Sequence, residues 1–417
     1  MEIIDLSGKG IGAAPEDTAR ASVARLGWNL LREDVSLPAA VLSQEVLDHN
    51  LRWMQQFIEA YHVRLAPHGK TTMCPDLFEM QLRAGAWGIT LATASQTRAA
   101  YRHGVRRVLM ANQLVGRQNM AIVSELLRDP AFEFFCLVDS VEGVDQLGRF
   151  FAAQQQRISV LLELGEQGGR TGVRDEAAED AVLAAIGRWG DSVSLAGIEV
   201  YEGVLPDEAA IRAFLRRAVA TVERLRAQGR FGSRAEPILT GAGSAWFDVV
   251  AEEFGGMSAQ QVEVVLRPGC YLTHDVGAYR EAQQRMAAGN SVVKRLGDGL
   301  RPALQIWAYV QSRPEPELAV IGLGKRDAAF DAGLPVPAQH YRPADQVSRP
   351  TPTPAYWTVT KIMYQHAYMK VPAAADVRVG DLVAFDISHP CLTWDKWRQV
   401  IIIDRDFRVI DLVQTYF

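Results

Sequence analysis

The chain has 417 residues, 48% of them hydrophobic and 22% charged, which excludes a mainly disordered protein and predicts two folded domains. Its 44 basic and 49 acidic side chains give a net charge of −5 with no long block of one sign, so we expect neither a nucleic-acid nor a membrane-surface partner. Residues 1–5 lack the basic start of a signal peptide, and no run reaches the ~18 apolar residues of a membrane helix. The four cysteines are scattered, which is typical of a reducing compartment, so we expect a cytoplasmic protein.

Short apolar runs alternate with helical segments from about residue 35 onward. Helical periodicity is clear over 47–61, 117–128 and 207–228. Eight such repeats with continuously apolar strands favour a parallel (β/α)₈ barrel of ~250 residues over 35–285. An open doubly wound sheet is the alternative. The eight predicted strands are 64–68, 89–93, 108–112, 134–139, 159–165, 196–201, 237–241 and 263–267.

The pattern changes after residue 290, where β-branched and aromatic runs follow one another without long amphipathic helices. The runs are 303–310, 356–360, 381–385 and 399–403. They predict a C-terminal all-β domain over 286–417, to which part of 1–34 contributes. The Pro-rich stretch 335–354 is predicted to be an exposed loop.

In a barrel of this kind the active site lies at the C-terminal ends of the strands. The first strand ends in His68-Gly69-Lys70, and the Gly-rich residues 240–244 and 267–271 follow the last two strands. Small residues there let backbone amides approach a phosphate, although a Gly-x-Gly alone is more often an ordinary turn. Lys70 is either a surface lysine or, if desolvated, an amine that bonds covalently to a carbonyl cofactor. A lysine facing a phosphate site is what pyridoxal 5'-phosphate requires.

A second candidate site is His389-Pro390-Cys391. On an extended chain the two side chains would point to one face, ~6–7 Å apart, and could share a metal ion. Zinc accepts both donors, and two protein ligands would leave positions open for water and substrate. From the pair alone, a buried structural cysteine beside an incidental histidine is the commoner case.

Residues 66–71, with Cys74-Pro75 and 81–86, resemble the cofactor-lysine region of the D-serine dehydratase and D-threonine aldolase family. That family comprises pyridoxal-phosphate enzymes of the alanine racemase fold, a barrel followed by a β domain. The similarity, strongest to the D-serine deaminase-like branch, continues through 169–172, 201–203, 240–244, 267–271 and 388–391. Ala66 stands where the family usually has Arg, and Thr72 where His is frequent.

The resemblance implies a role for each matching residue. Lys70 would hold the cofactor and act as base at the substrate Cα, Arg170 would contact the phenolate oxygen, and Tyr201 would lie near the ring. The predicted cofactor site comprises His68, Lys70, Arg170, Tyr201, Thr240, Gly241, Ala242, Gly243, Ser244, Gly269, Cys270 and Tyr271. His389 and Cys391 would bind Zn²⁺, with Mn²⁺ as the alternative, because the aldolase branch tends to carry a carboxylate in place of the cysteine.

The implied function is a zinc- and pyridoxal-phosphate-dependent dehydratase, an ammonia-lyase. It would convert a small D-3-hydroxy amino acid, D-serine or else D-threonine, to a 2-oxo acid and ammonia. The alternatives are a metal-activated D-threonine aldolase, an amino-acid racemase, or a non-enzymatic cofactor carrier, which would resemble the barrel alone. Members of this fold resemble head-to-tail dimers, so we expect a homodimer in which His389 serves its own or the partner's Lys70.

Overall fold

The computed structural model describes residues 3–232, 234, 236–345 and 348–417. Two compact units share the chain. The first contains residues up to Trp53, Cys270–Ala288 and Gly297–Phe417, and the second contains Met54–Gly269 and Gly289–Leu296. These bounds differ from the predicted 35–285 and 286–417 because strand β1 (Ala39–Ser43) pairs with C-terminal strands and not with the barrel.

The second unit contains eight parallel strands, confirming each of the predicted runs. They are β2 (Arg64–Leu65), β3 (Ile89–Leu91), β4 (Arg107–Gln113), β5 (Glu133–Val138), β6 (Ile158–Leu164), β7 (Val193–Val200), β8 (Ile238–Gly241) and β9 (Glu263–Leu266). Neighbours follow the order β2-β9-β8-β7-β6-β5-β4-β3. The ring closes where His68 bridges to Thr90, whose amide donates to the Pro67 carbonyl at 2.9 Å. Closure excludes the open sheet.

Helices connect successive strands, as crossovers between parallel strands require. Helix α1 (Gln44–Tyr61) leads from β1 into β2, and the crossover helices are α2 (Pro75–Arg83), α3 (Ala94–Arg102), α4 (Arg117–Leu126), α5 (Val141–Ala153), α6 (Glu176–Arg188), α7 (Glu208–Ala227) and α8 (Phe247–Phe254). Side chains of Thr93, Ser140, Asp175 and Asp207 accept hydrogen bonds from the first turns of four of these helices, which fixes where those helices begin.

Apolar side chains fill the barrel interior. They include Ala66, Trp87, Leu109, Phe135, Leu137, Leu161, Ala196, Ile238 and Val265. An interior packed in this way is a core and not a channel. A ligand is therefore received at the mouth, where the strands end in polar residues.

The first unit is built on a mostly antiparallel sheet. Besides β1 it contains β10 (Leu304–Glu315), β11 (Leu318–Ile321), β12 (Val336–Tyr341), β13 (Thr351–Pro352), β14 (Thr358–Ile362), β15 (Ala367–Lys370), β16 (Leu382–Asp386), β17 (Gln399–Ile403) and β18 (Val409–Gln414). The main path runs β13-β12-β16-β10-β1-β17-β18, with β11, β15 and β14 branching from β10. The chain also forms α9 (Ala278–Gly289), α10 (Ser291–Leu296) and α11 (Cys391–Trp394). The predicted C-terminal β domain is confirmed.

The predicted exposed loop at 335–354 is wrong over much of its length. Strand β12 pairs with β16, and β13 extends the same sheet. Pro337 is tolerated because the register shifts between it and Gln339, as at a bulge. Residues 346 and 347 of this stretch lie outside the described residues. None of the helices in the described part of the chain is long and apolar enough to cross a membrane.

Candidate active site

The mouth of the barrel presents Lys70 from a single helical turn, Gly69–Thr71, directly after β2. Close packing fixes this turn. A Cβ atom at Gly69 would lie 2.7 Å from the Phe78 ring, and one at Gly269 would lie 2.7 Å from the His68 carbonyl oxygen. Lys70 itself is exposed, as a residue that receives a cofactor at the mouth must be.

His68 contributes a neutral imidazole beside Lys70. Burial lowers its pKa well below the ordinary value, and the positive charges of Lys70 and Arg267 lower it further. The Nδ1 atom is buried and has no hydrogen-bond partner among the residues that the structure describes. An uncharged ring with an unsatisfied nitrogen, next to an exposed amine, fits a flat aromatic cofactor that carries polar substituents.

Arg170 and Tyr201 lie close together at the barrel mouth. The Arg170 guanidinium lies 4.5 Å from the centroid of the Tyr201 ring. Two glycines make room for that ring, since a Cβ at Gly203 would meet the Tyr201 hydroxyl at 2.6 Å and one at Gly243 would meet the ring at 3.2 Å. The guanidinium is held by a cation–π contact that leaves its donors available for an anionic oxygen.

The Gly-rich loop after β8 binds a carboxylate of the protein. Glu202 is fully buried. It accepts hydrogen bonds from the backbone amides of Ala242 at 3.1 Å and Gly243 at 2.6 Å. Burial raises the pKa of Glu202, and these amides oppose the rise. Ala242 has a φ of 81°, so successive amides converge as in an anion-binding nest.

The other residues predicted for the cofactor site after the last two strands divide into three groups. Ser244 Oγ accepts a hydrogen bond from the Gly269 amide at 3.1 Å, which joins the two Gly-rich loops. The Thr240 hydroxyl instead donates to the Val265 carbonyl at 2.8 Å inside the sheet, and Gly241 packs close to Val200. Cys270 and Tyr271 are buried residues of the first unit. In this structure the amides of Ala242, Gly243 and Gly269 all donate to side chains of the protein.

A buried ion pair that the sequence did not suggest lies beneath these residues. Arg267, at the end of β9, donates to the Glu199 carboxylate and to the Val200 carbonyl, the latter at 2.9 Å. The two side chains are 5% and 1% exposed. Burial raises the pKa of Glu199, and the charge of Arg267 opposes the rise. The sequence signal that could have indicated this pair is Glu199, a glutamate within the mostly apolar strand β7.

Glu163 is a third acidic side chain inside the barrel. Its carboxylate accepts hydrogen bonds from Thr171 Oγ1 and Gln113 Nε2, both at 2.5 Å. Burial, with a smaller contribution from Glu199, raises the pKa of Glu163 to about 7. The side chain is therefore largely protonated in mildly acidic solution.

Replacing Glu163 with glutamine is expected to remove a pH dependence of stability. The ordinary pKa is 4.5, so between pH 4.5 and about 7 the folded chain retains a proton that the unfolded chain has lost. Wild-type stability must fall as pH rises through this interval. We expect Glu163→Gln to gain about 1–3 kcal/mol over the wild type at pH 8 and nothing at pH 4.5. Urea midpoints across pH check this, with the exposed Glu125→Gln as control; parallel curves for wild type and Glu163→Gln would contradict it.

The predicted metal residues lie in the first unit, where their local structure differs from the prediction. Pro390 is helical, with φ −60° and ψ −48°, and Cys391 begins α11, so the chain is not extended. The two side chains nevertheless meet. A hydrogen bond to Cys391 raises the pKa of His389 to about 9, and Asp331 contributes. His389 Nδ1 lies 2.7 Å from Asp331 Oδ2, a contact that the sequence did not predict.

Two further side chains surround this pair. Cys270 Sγ lies 3.9 Å from Cys391 Sγ. Cys270 raises the pKa of Tyr279, whose hydroxyl also forms a hydrogen bond with Cys270. No three or more His, Cys, Asp or Glu side chains among the described residues are arranged to hold a metal ion. The imidazole and thiol of His389 and Cys391 are still donors that suit zinc.

Comparison with known proteins assigns a family to this geometry. The model of the alanine racemase N-terminal domain matches residues 42–273, more than half of the chain. The chain belongs to this family. A putative serine dehydratase domain matches residues 303–403, which include His389 and Cys391. The predicted family resemblance is confirmed, and the alanine racemase-like barrel implies pyridoxal 5'-phosphate as cofactor.

Two relatives of this alanine racemase-like chain have named activities. D-threonine aldolase of Arthrobacter sp. is 27% identical over 72% of this chain and 75% of its own. D-threo-3-hydroxyaspartate dehydratase of Delftia sp. strain HT23 is 30% identical over 46% of this chain and 52% of its own.

Solved structures share the fold over nearly the whole length. The crystal structure of D-threonine aldolase from Filomicrobium marinum has a TM-score of 0.75 at 24% identity and covers 95% of this chain and 98% of its own. Structures of D-threo-3-hydroxyaspartate dehydratase include a His→Ala mutant and, two positions further along that chain, a Cys→Ala mutant in a metal-free form.

Proposed function

We propose that the protein is a dehydratase that uses pyridoxal 5'-phosphate and zinc to convert a small D-3-hydroxy amino acid, D-serine or D-threonine, to a 2-oxo acid and ammonia. The contact between His389 and Cys391 carries this proposal. A thiol beside an imidazole favours zinc over magnesium or manganese. The altered His and Cys of the dehydratase structures, also two residues apart, support the same assignment.

Side chains of the barrel would bind and orient the substrate. The Lys70 amine is the base within reach of the mouth and would remove the Cα proton. Arg170, held over the Tyr201 ring, would stabilise negative charge on the cofactor's oxygen, and the loops at 241–244 and 269 would bind its phosphate. When bound, the cofactor supplies an electron sink for the Cα carbanion.

Residues of the first unit would assist departure of the β-hydroxyl. His389 and Cys391 would hold the metal, a Lewis acid toward that oxygen. Asp331 fixes the imidazole through Nδ1 and so leaves Nε2 for the ion. This arrangement provides an acidic group at the leaving oxygen without a strong protein acid.

An aldolase is the second candidate. Its support is the relationship to D-threonine aldolase over 72% of the chain. Such an enzyme would deprotonate the β-hydroxyl and cleave the Cα–Cβ bond to give glycine and an aldehyde. The two reactions therefore differ in which bond breaks, and their products separate them.

Product analysis tests the proposal. We expect the purified chain with pyridoxal 5'-phosphate to release 2-oxo acid and ammonia from D-serine or D-threonine, and nothing from the L-enantiomers. Complete chelation should lower the rate about 100-fold, because a Lewis acid contributes several kcal/mol at the leaving group. Readdition of zinc is the control. Glycine plus aldehyde as main products would reject dehydration, and full activity without metal would reject the zinc.

A further inference from the structure

We propose that Cys270 is a third protein ligand of the metal, so that the site consists of one imidazole and two thiolates and selects zinc over magnesium and manganese. This inference rests on the proposed metal role of His389 and Cys391. It gives a second role to a residue that the family resemblance implies for the cofactor site.

The separation of the two sulfur atoms fits a shared zinc ion. Zn–S bonds of ~2.3 Å at tetrahedral angles place two sulfur atoms ~3.8 Å apart. Cys270 Sγ and Cys391 Sγ are 3.9 Å apart. The gap is too long for a disulfide, whose S–S bond is ~2.05 Å. Little movement of either sulfur would therefore be needed to bind one ion.

The backbone and a neighbouring hydroxyl fix the position of Cys270. Its carbonyl accepts a hydrogen bond from the His274 amide at 2.7 Å, and the residue is 3% exposed. The Tyr279 hydroxyl forms a hydrogen bond with its sulfur. A donor of this kind stabilises a thiolate and orients it, as outer partners of metal ligands do.

The His389 imidazole would be the third donor, beside the two sulfur atoms, once the ion binds. His389 is bonded to Asp331 through Nδ1, which leaves Nε2 for Cys391 or for a metal beside it. The described residues do not form a complete set of three donors, so joint binding of one ion would require the imidazole to move toward the two sulfur atoms. Two Cys and one His with one open position form a known catalytic zinc arrangement.

Cobalt substitution counts the thiolates directly. With reductant present, Co²⁺ bound to the full chain should show sulfur-to-cobalt charge-transfer absorbance from two thiolates. We expect about half of that absorbance in Cys270→Ala and in Cys391→Ala, and none in the double variant. Zinc affinity, measured by competition with a chromophoric chelator, should fall at least about 100-fold in Cys270→Ala, beyond the usual effect of losing an outer partner.

Control variants distinguish a failure of the Cys270 proposal from a failure of the proposed function. Cys136→Ala removes a fully buried thiol of β5 and should leave both readouts unchanged. Cys270→Ser keeps the size of the side chain and should also lose half of the absorbance. Wild-type absorbance and affinity in folded Cys270→Ala and Cys270→Ser, with loss in Cys391→Ala, would overturn the role of Cys270 and leave the proposed function intact. A wild-type chain that binds neither metal would overturn both.

Discussion

Replacing Lys70 with alanine is expected to abolish both cofactor retention and turnover. The purified variant should lack the visible absorbance of bound pyridoxal 5'-phosphate, and its rate with D-serine or D-threonine should fall about 10³-fold or more. The reason is that, in the proposed mechanism, one amine serves as covalent anchor and as base, so its removal eliminates both functions. Absorbance spectra after dialysis and product assays check the two effects separately.

Two further variants test whether Lys70 acts through a covalent bond to the cofactor or only through its positive charge. Lys70→Arg keeps the positive charge beside His68 but cannot bond to the cofactor, so it should behave like the alanine variant. Lys294→Ala removes an exposed lysine of α10 and should retain the absorbance and rate of the wild type. If Lys70→Ala keeps the visible absorbance, another residue anchors the cofactor and the assignment is wrong.

The barrel could be predicted because most residues in its strands are apolar. Apolar composition is a local property, so it indicates where strands lie but not which strands pair with each other. Strand β1 has the same composition, Ala-Ala-Val-Leu-Ser, yet it pairs with residues 304–307 and 401–403. Nothing near it in the sequence specifies those partners. Strand β12 was missed because prolines, which usually mark loops, are tolerated there at a bulge.

Those residues of the candidate site that follow the ends of strands could be predicted from the sequence. Lys70, His68, Arg170 and Tyr201 lie at the barrel mouth for that reason. Glu202 and Asp331 were not predicted because each binds a group that is far away in the sequence. Glu202 binds the loop after β8, and Asp331 binds the His389 ring. Cys270 was assigned from its neighbour Gly269, whereas its thiol meets Cys391, 121 residues further along the chain. The direction of a side chain determines which group it contacts, and adjacency in the sequence does not define that direction.

Replacing Arg267 with methionine is expected to produce the largest loss of stability. Methionine fills the volume but leaves the Glu199 carboxylate buried without its cation. Breaking such a pair typically costs about 3–5 kcal/mol. The loss should shrink as pH falls, because protonation of Glu199 removes the uncompensated charge and burial already raises the pKa of that group. Urea midpoints of the barrel transition at pH 8 and pH 5 measure both effects.

Matched variants decide whether the ion pair itself is responsible. In the double variant Glu199→Gln/Arg267→Met neither member of the pair is charged, so most of the lost stability should return. Arg83→Met removes one partner of the Arg83–Glu79 pair on α2, whose side chains are 75% and 57% exposed, and should change stability by less than about 0.5 kcal/mol. A loss in Arg267→Met no larger than that of Arg83→Met would mean that Glu199 does not depend on its cation.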